Sequence, residues 1–409
     1  MLLHTADITR ETQPKGESRG LFMLSDVRDA LPALIKKYAD SVQCIYIDPP
    51  FATGRSFDMR VTVHPEEWKS GAGSLTAKAY DDPADTAGLT KLLRETIAGA
   101  KELLRDDGLM FLHVDWRMSG RARMLMDEIF GEDNLLNEII WAYQTGGRAT
   151  HYFSRKHDTI FMYRKTKDYY FDAQAVSVPR EGVRANHMKR GTDADGRPYS
   201  EIRSAGKLYR YYDDEPVLPG DVWTDLNMQQ KDPQRTGFET QKPLKLLERI
   251  ILCSTQPGDI VCDLMSGSGT TADAACANGR HFIVVDMSPM ALFSLRRRLP
   301  ETLFDTVTPV CAAPDIEAHF AQEGLGDLAV TFSGFRGVPE GEEAGTDRLD
   351  GWAAGYISNG VFVPAAQSQR SFRSPDISLS LKIPFIDAPV CIRVNDIYGN
   401  TAFYSAEGT

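Results

Sequence analysis

Asp48-Pro49-Pro50-Phe51 places a carboxylate, two prolines and an aromatic ring in direct succession. Proline fixes its own backbone, so the carbonyl between the prolines and the Asp48 carboxylate can face one point beside the ring of Phe51. Two acceptors and a stacking surface suit an exocyclic amino group on a planar base. They take its hydrogens, stack its ring and aim its lone pair outward. An isolated Asp-Pro-Pro is more often only a turn. Here it follows the apolar run VQCIYI (42–47) and precedes an aromatic residue, and a second ligand-type motif stands further along the chain.

That second motif runs Asp263-Leu264-Met265-Ser266-Gly267-Ser268-Gly269-Thr270-Thr271-Ala272, with Asp286 standing 19 residues past Gly267. Glycines let the chain turn sharply off a strand and approach a ligand closely. An acid at the end of the next strand suits ribose hydroxyls. The spacing Gly267-x-Gly269-x-x-Ala272 also satisfies a dinucleotide fingerprint, so these residues leave nicotinamide dinucleotide and other adenosine compounds both open. A tight turn without a ligand is the bland reading.

The elements that must carry these motifs alternate between strand and helix. Residues 26–40 have helical apolar spacing at Val27, Leu31, Leu34 and Ile35, ahead of the strand 42–48. A helix with one face of Leu89, Leu93, Ile97, Ala100 and Leu104 is broken at Asp106-Asp107-Gly108. LMFLHVD (109–115) follows as a strand, then a helix over 117–130. From 242 the rhythm resumes as a helix, a strand at 259–264, the Gly-rich turn, a helix to 278, a strand at 281–286 and a helix at 289–298. This alternation predicts an α/β fold on a mainly parallel sheet. Between them, 164–240 is polar, basic and Tyr-rich, and reads as an irregular insertion. Residues beyond 310 carry short apolar runs among Pro, Gly and acids, and read as a small β-rich domain.

The 409 residues are 42% hydrophobic and 25% charged, which excludes wholesale disorder and a disulfide mini-scaffold. The net charge is −11 but is unevenly spread. Residues 301–409 hold 6 Lys/Arg against 15 Asp/Glu, whereas 141–212 hold 14 against 7. A basic segment within a near-neutral body can contact phosphates locally, and a solvated face is the plain alternative. The acidic C-terminal part is expected to avoid nucleic acid and to serve protein contact, dimer support or a structural cap. Six scattered cysteines without a CxxC pattern indicate free thiols in a reducing compartment, with neither zinc nor disulfides. No run reaches the roughly 18 apolar residues of a membrane helix, and no secretory leader is visible. A cytoplasmic protein is expected.

Taken together, the two motifs resemble DNA amino-methyltransferases, in which Asp-Pro-Pro-Tyr/Phe receives a flipped base and the Gly-rich turn holds S-adenosyl-L-methionine. Catalytic motif first, insert between, cofactor motif last is the permuted order of the beta class, which methylates adenine N6 or cytosine N4. The resemblance extends over about residues 20–300 through Phe130-Gly131-Glu132-Asp133-Asn134, Ile140-Trp141, His157-Asp158, Gly196-Arg197-Pro198, Asp221-Val222-Trp223 and Thr240-Gln241-Lys242-Pro243.

It implies a Rossmann-like S-adenosylmethionine-dependent fold of four parts. These are the catalytic half (20–163), a target-recognition insert (164–240), the cofactor half (241–300) and the C-terminal domain (310–409). It implies Asp48, Pro49, Pro50 and Phe51 as catalytic residues, and no metal. Asp26 is implied beside the cofactor adenine, and Thr240, Gln241 and Lys242 near its methionine part. Asp263, Met265, Gly267, Ser268, Gly269, Thr270 and Asp286 are implied as the rest of the cofactor site. Met265 stands where the family has an aromatic residue, and Phe238-Glu239 replaces its Tyr-Pro. Asp rather than Ser before Pro-Pro implies adenine N6 in double-stranded DNA, with cytosine N4 as the alternative. A nicotinamide-dependent oxidoreductase is the alternative from another class, but it leaves Asp48-Phe51 without a role. The resemblance also allows a homodimer and a separate restriction endonuclease partner. Arg180, Arg184, Lys189, Arg190, Arg197 and Arg203 are candidate DNA contacts within the insert.

Overall fold

The computed structural model describes residues 8–10, 18–62, 74–143, 149–179, 188–229, 232–302, 304–308, 316–323, 326–335, 348–358 and 361–405. In chain order the body comprises β1 (Ile8–Arg10), β2 (Gly20–Leu24), α1 (Val27–Tyr38), β3 (Val42–Ile47), β4 (Arg55–Thr62), β5 (Ser74–Asp82), α2 (Thr86–Leu103) and β6 (Leu104–Val114). Next come α3 (Ser119–Phe130), β7 (Leu135–Ala142), β8 (His157–Arg164), β9 (Lys189–Thr192), β10 (Pro198–Ser204), β11 (Lys207–Tyr212) and β12 (Val222–Trp223). The body closes with α4 (Leu244–Ser254), β13 (Ile260–Asp263), α5 (Thr270–Ala277), β14 (His281–Asp286), α6 (Pro289–Arg298) and β15 (Asp305–Val307).

Ten of these strands form one sheet in the order β1-β15-β2-β14-β13-β3-β6-β8-β7-β12. The run from β15 to β6 is parallel, and β8 is antiparallel to both neighbours. Apolar strands that are buried on both faces dictate this arrangement. Along β3, Ile45 and Ile47 point into a core with α1, α2 and α3, whereas Cys44 and Tyr46 point into a core with α4, α5 and α6. The strand period of two thus divides one apolar run between two helical layers.

Helices α1, α2 and α6 begin at short polar side chains that cap them. Asp26 accepts from Arg28 N ahead of α1, and Asp85 from Ala87 N and Gly88 N ahead of α2. Leu93, Ile97 and Ala100 of α2 are fully buried. Each such Leu or Ile contributes roughly 1.5–3 kcal/mol.

The segment expected to be irregular contains a three-stranded antiparallel sheet, β9-β10-β11. Its strands alternate Tyr, Arg and Glu, so a local pairing pattern is present without the apolar runs that mark core strands. Two further strands, β4 and β5, pair as a hairpin that leaves the main sheet between the catalytic motif and α2.

The C-terminal strands are β16 (Ile316–Glu323), β17 (Asp327–Phe335), β18 (Leu349–Ser358), β19 (Val361–Gln369), β20 (Ser380–Pro384), β21 (Val390–Asp396) and β22 (Thr401–Ser405). They form sheets β16-β17-β20 and β19-β18-β21-β22 around Trp352, Phe332 and Ile392. This unit docks on α6. Buried Arg297 pairs with buried Asp350, and Arg296 donates to Asn395 and Thr401. Ile397 joins Met290 and Phe293 of α6 in one cluster with Met59, Val61, Ala77 and Ala79 of the β4–β5 hairpin. The described part of the acidic C-terminal region therefore packs against α6 and the β4–β5 hairpin.

Five cysteines (Cys44, Cys253, Cys262, Cys276 and Cys391) are free thiols, and Cys311 lies outside the described residues. Among the described residues no cluster suits a metal ion, and no helix is long and apolar enough to cross a membrane.

Candidate active site

β3 and β13 are neighbours in the sheet, with Asp263 in register with Tyr46. The chain leaves them in opposite directions, to β6 on one side and β14 on the other. Ligands of open α/β sheets lie at the carboxyl ends of strands flanking such a switch point. Asp48 follows β3 and the Gly-rich turn follows β13, so both motifs border one cleft of about 400 Å³.

On the cofactor side, Gly267 and Gly269 adopt left-handed backbone at φ 50° and 75°. A Cβ on Gly269 would lie 3.0 Å from Leu295 Cδ1 of α6, so glycine meets both a conformational and a packing demand. Asp286 accepts from Gly267 N at 2.7 Å and Ser288 N at 2.8 Å. Burial pushes its carboxyl up to about 6, against the pull of those amides. Each of its oxygens retains an acceptor site for a ribose hydroxyl.

Asp263 is spent inside the turn. It accepts from Thr271 Oγ1 at 2.5 Å and Met265 N at 3.1 Å, and burial pushes it up to about 7. Met265 and Ser266 line the cleft, and Ser266 Oγ is buried with no hydrogen-bond partner among the described residues. Asp26 also lines it, its carboxylate held by Arg28 and thereby below the ordinary range.

The remaining expected cofactor residues divide. Thr240 lines the cleft and accepts from Tyr80 OH at 3.4 Å. Gln241 braces its own loop, accepting from Thr236 N and donating to Gln234 O. Ser268 and Thr270 bond each other, and both are bonded by Arg298 of α6. Lys242 also lines the cleft and reaches to its Asp48 side, where its ammonium pairs with Asp48 Oδ2 and lies 5.5 Å from the Phe51 ring centroid.

There, Asp48 Oδ1 is buried and has no partner among the described residues. Pro49, Pro50 and Phe51 complete the edge of the cleft. The loop is held by a residue that belongs to neither sequence motif. Asp82, at the end of β5, accepts from Phe51 N, Ala52 N, Thr53 N and Thr53 Oγ1 at 2.8–3.1 Å. Ala52 sits at φ 56°, a strained position for a residue with a side chain. The Asp82 carboxylate offsets that strain by gathering three amides into one anion site.

Beneath the cleft, Tyr46 OH bonds His113 Nδ1 at 2.7 Å, and His113 Nε2 bonds Asp158 Oδ2 at 3.2 Å. Tyr143 OH donates to Asp158 Oδ1. Burial works to raise Asp158, yet the His113 bond, the Tyr143 bond and the charge of Lys242 hold it below the ordinary range. The His113 ring lies 6.3 Å from that of Phe51 and edge-on to Trp141. This polar line fixes the floor of the Asp48 side.

Residues 42–292 match the family model described as DNA methylase. The chain is 26% identical over 299 residues to the DNA adenine methyltransferase YhdJ of Escherichia coli K12, covering 73% of this chain and 84% of that one. Two solved structures share part of its shape. The M1.HpyAVI–SAM complex has TM-score 0.40 and 17% identity, covering 68% of this chain and 98% of that one. The cytosine-N4-specific PvuII DNA methyltransferase has TM-score 0.44 and 14% identity, covering 71% of this chain and 90% of that one.

Proposed function

This chain belongs to the DNA methylase family, and from that premise we propose that it methylates the exocyclic N6 of an adenine extruded from double-stranded DNA. Its cofactor is S-adenosyl-L-methionine. The observation that carries the base-side reading is the buried Oδ1 of Asp48, which has no partner among the described residues and belongs to a side chain that lines the same cleft as Phe51 and the cofactor turn. The nicotinamide alternative gives that acceptor nothing to do.

The cofactor side fits the group proposed for it. Asp286 would take the ribose hydroxyls, the Gly267–Gly269 turn would take the close approach of the nucleoside, and unpartnered Ser266 Oγ would gain a bond. When bound, S-adenosyl-L-methionine supplies a sulfonium-activated methyl group whose leaving group is a neutral thioether.

The target nitrogen cannot be reached inside a duplex, so the base must be flipped. Asp48 Oδ1 then accepts one amino hydrogen and the Pro49 carbonyl the other, which leaves the nitrogen lone pair directed at the methyl carbon. The nitrogen would thereby gain the methyl group that the bound cofactor supplies, and the electron pair of the broken bond would stay with the departing thioether. The surplus proton on nitrogen passes towards Asp48. Stacking on Phe51 adds about 1–3 kcal/mol, and alignment of the two reactants supplies much of the rate.

Lys242 acts as a positioning residue. By holding Oδ2 it turns Oδ1 to the base. The segment 164–240 is proposed as the target-recognition part and the cytoplasm as the working compartment. The family's restriction–modification setting makes a homodimer and a separate endonuclease the partners to seek.

The test incubates the purified chain with methyl-labelled S-adenosyl-L-methionine and unmethylated bacterial DNA, then identifies the labelled nucleoside. N6-methyladenine that is lost in Asp48→Ala supports the reading. N4-methylcytosine overturns the base assignment, and absence of label from DNA overturns the substrate.

A further inference from the structure

Beside the base side of the cleft lies a patch that the reaction described above does not use. Trp116, Tyr152 and Phe153 are 44%, 62% and 98% exposed. Single exposed aromatic residues need no explanation, but two of these, Trp116 and Tyr152, flank one cation, and Phe153 stands almost wholly in solvent beside them in the chain. The Arg155 guanidinium lies 3.5 Å from the ring centroid of Trp116 and 4.8 Å from that of Tyr152, and Arg117 covers Trp116 at 4.8 Å.

Sheet register places the patch. β6 runs parallel to β3 with Leu112 opposite Ile47, so Trp116 emerges on the same carboxyl edge as Asp48, one strand away. β8 runs back against β6 with Thr159 opposite Val114, which brings residues 152–155 to that edge as well. The loop is anchored where it meets the cleft, by Tyr143 N donating to Lys156 O at 2.9 Å and Tyr143 OH donating to Asp158.

Several arginines are neutralised: Arg117 by Asp115, and Arg190, Arg197 and Arg210 of the insert by Asp213, Asp214 and Glu201. Among the described residues no carboxylate pairs with Arg155. A cation without a counter-ion, stacked between aromatic faces, suits nucleobases with their phosphates. Extruding a base leaves a gap in the stack, and apolar side chains inserted between base steps are how proteins hold a duplex open.

We propose that Trp116, Tyr152, Phe153 and Arg155 form a platform for the bases left behind when the target is extruded, with Phe153 entering the stack. The proposal rests on the DNA-methylase reading and goes beyond it by assigning the strand-opening surface.

The test compares the full chain with Phe153→Ala and Phe153→Trp. Label transfer is measured onto unmethylated duplex DNA and onto the same DNA heat-denatured to single strands. S-Adenosyl-L-methionine affinity without DNA serves as the check on folding. The loss in Phe153→Ala should be at least tenfold larger on duplex than on single strands, at unchanged cofactor affinity, and Phe153→Trp should restore most of it. Equal losses on both substrates, or no loss on either, would overturn the proposal. A change of oligomeric state with duplex transfer intact would assign the patch to protein contact and overturn it too. If the unaltered chain labels neither substrate, the DNA-methylase reading itself fails, a result distinct from any of these.

Discussion

Lys242 Nζ and Asp48 Oδ2 form a direct ion pair, although 194 positions separate them in sequence. Both side chains are largely enclosed, at 12% and 16% exposure. Lys242 sits in a segment that family resemblance associates with the cofactor, yet its charge is delivered to the carboxylate proposed to receive the base. The pair leaves one Asp48 oxygen fixed and the other unmet, which a lone carboxylate on a loop would not achieve.

Removal of Lys242 should therefore act on the chemical step. Lys242→Met is expected to lower kcat by about 10²–10³, the range for loss of one preorganised electrostatic group. The affinity for S-adenosyl-L-methionine should move less than about threefold, since a methyl-transfer effect and a binding effect separate in this way. Equilibrium binding of the cofactor beside single-turnover transfer checks it. A large loss of cofactor affinity with unchanged single-turnover rate would return Lys242 to the cofactor site.

Asp82 should behave as the clasp of the catalytic loop. Asp82→Ala leaves the amides of Phe51, Ala52 and Thr53 without their shared acceptor. Each buried orphan costs about 1–3 kcal/mol. Unfolding in urea should report that loss, and kcat should fall more than cofactor affinity. Asp82→Asn, which keeps one acceptor oxygen, should recover part of both. A variant as stable and active as the parent would show that the loop holds its own shape.

Two buried carboxyls set a pH dependence whose sign follows from their direction. Burial raises Asp263 to about 7 and Asp286 to about 6, both above the unfolded value near 3.9. Between about pH 4 and pH 7 the ligand-free native state thus holds more protons than the unfolded chain. Its stability should fall as pH rises through that window and level off above it. Asp263→Asn should flatten the slope, as measured by denaturation midpoints from pH 4.5 to 8. Cofactor affinity should run the other way, weakening below about pH 6 as Asp286 takes up its proton.

The Arg297–Asp350 pair should report on the C-terminal unit. Both side chains are 1% exposed, and removing one partner of such a pair costs about 3–5 kcal/mol. Asp350→Ala should lower thermal stability accordingly. Because α6 follows Asp286 directly, it should also weaken cofactor binding. Replacing both residues with apolar ones should regain much of the stability. Unchanged stability in Asp350→Ala would mean the domain is only loosely attached.

How much of this could be read in advance depends on the range of the forces involved. The helices at 27–38, 244–254 and 289–298 and the strand at 281–286 are readable because apolar spacing and capping act within a few residues. So are Asp48-Pro49-Pro50-Phe51 and the Gly267–Gly269 turn, since proline and glycine impose backbone form wherever they stand. The β9–β11 sheet escaped notice because its strands are half-solvated and lack an apolar run. Gln241 lines the cleft beside its sequence neighbours, and the bonds of its side chain to Thr236 and Gln234 are set by loop packing that no local pattern encodes.

By itself, then, the sequence determined the alternation of strands and helices, the two motifs, their order and the family they belong to. Only the tertiary structure decided that β3 and β13 lie side by side, that Lys242 answers Asp48, that Asp82 holds the catalytic loop, and that the C-terminal sheets lean on α6. Those relationships span up to hundreds of residues, and no local periodicity encodes them. They arise when burial of shared apolar faces closes the long loops between them, and polar side chains then pair with whatever charge the packing has brought within reach.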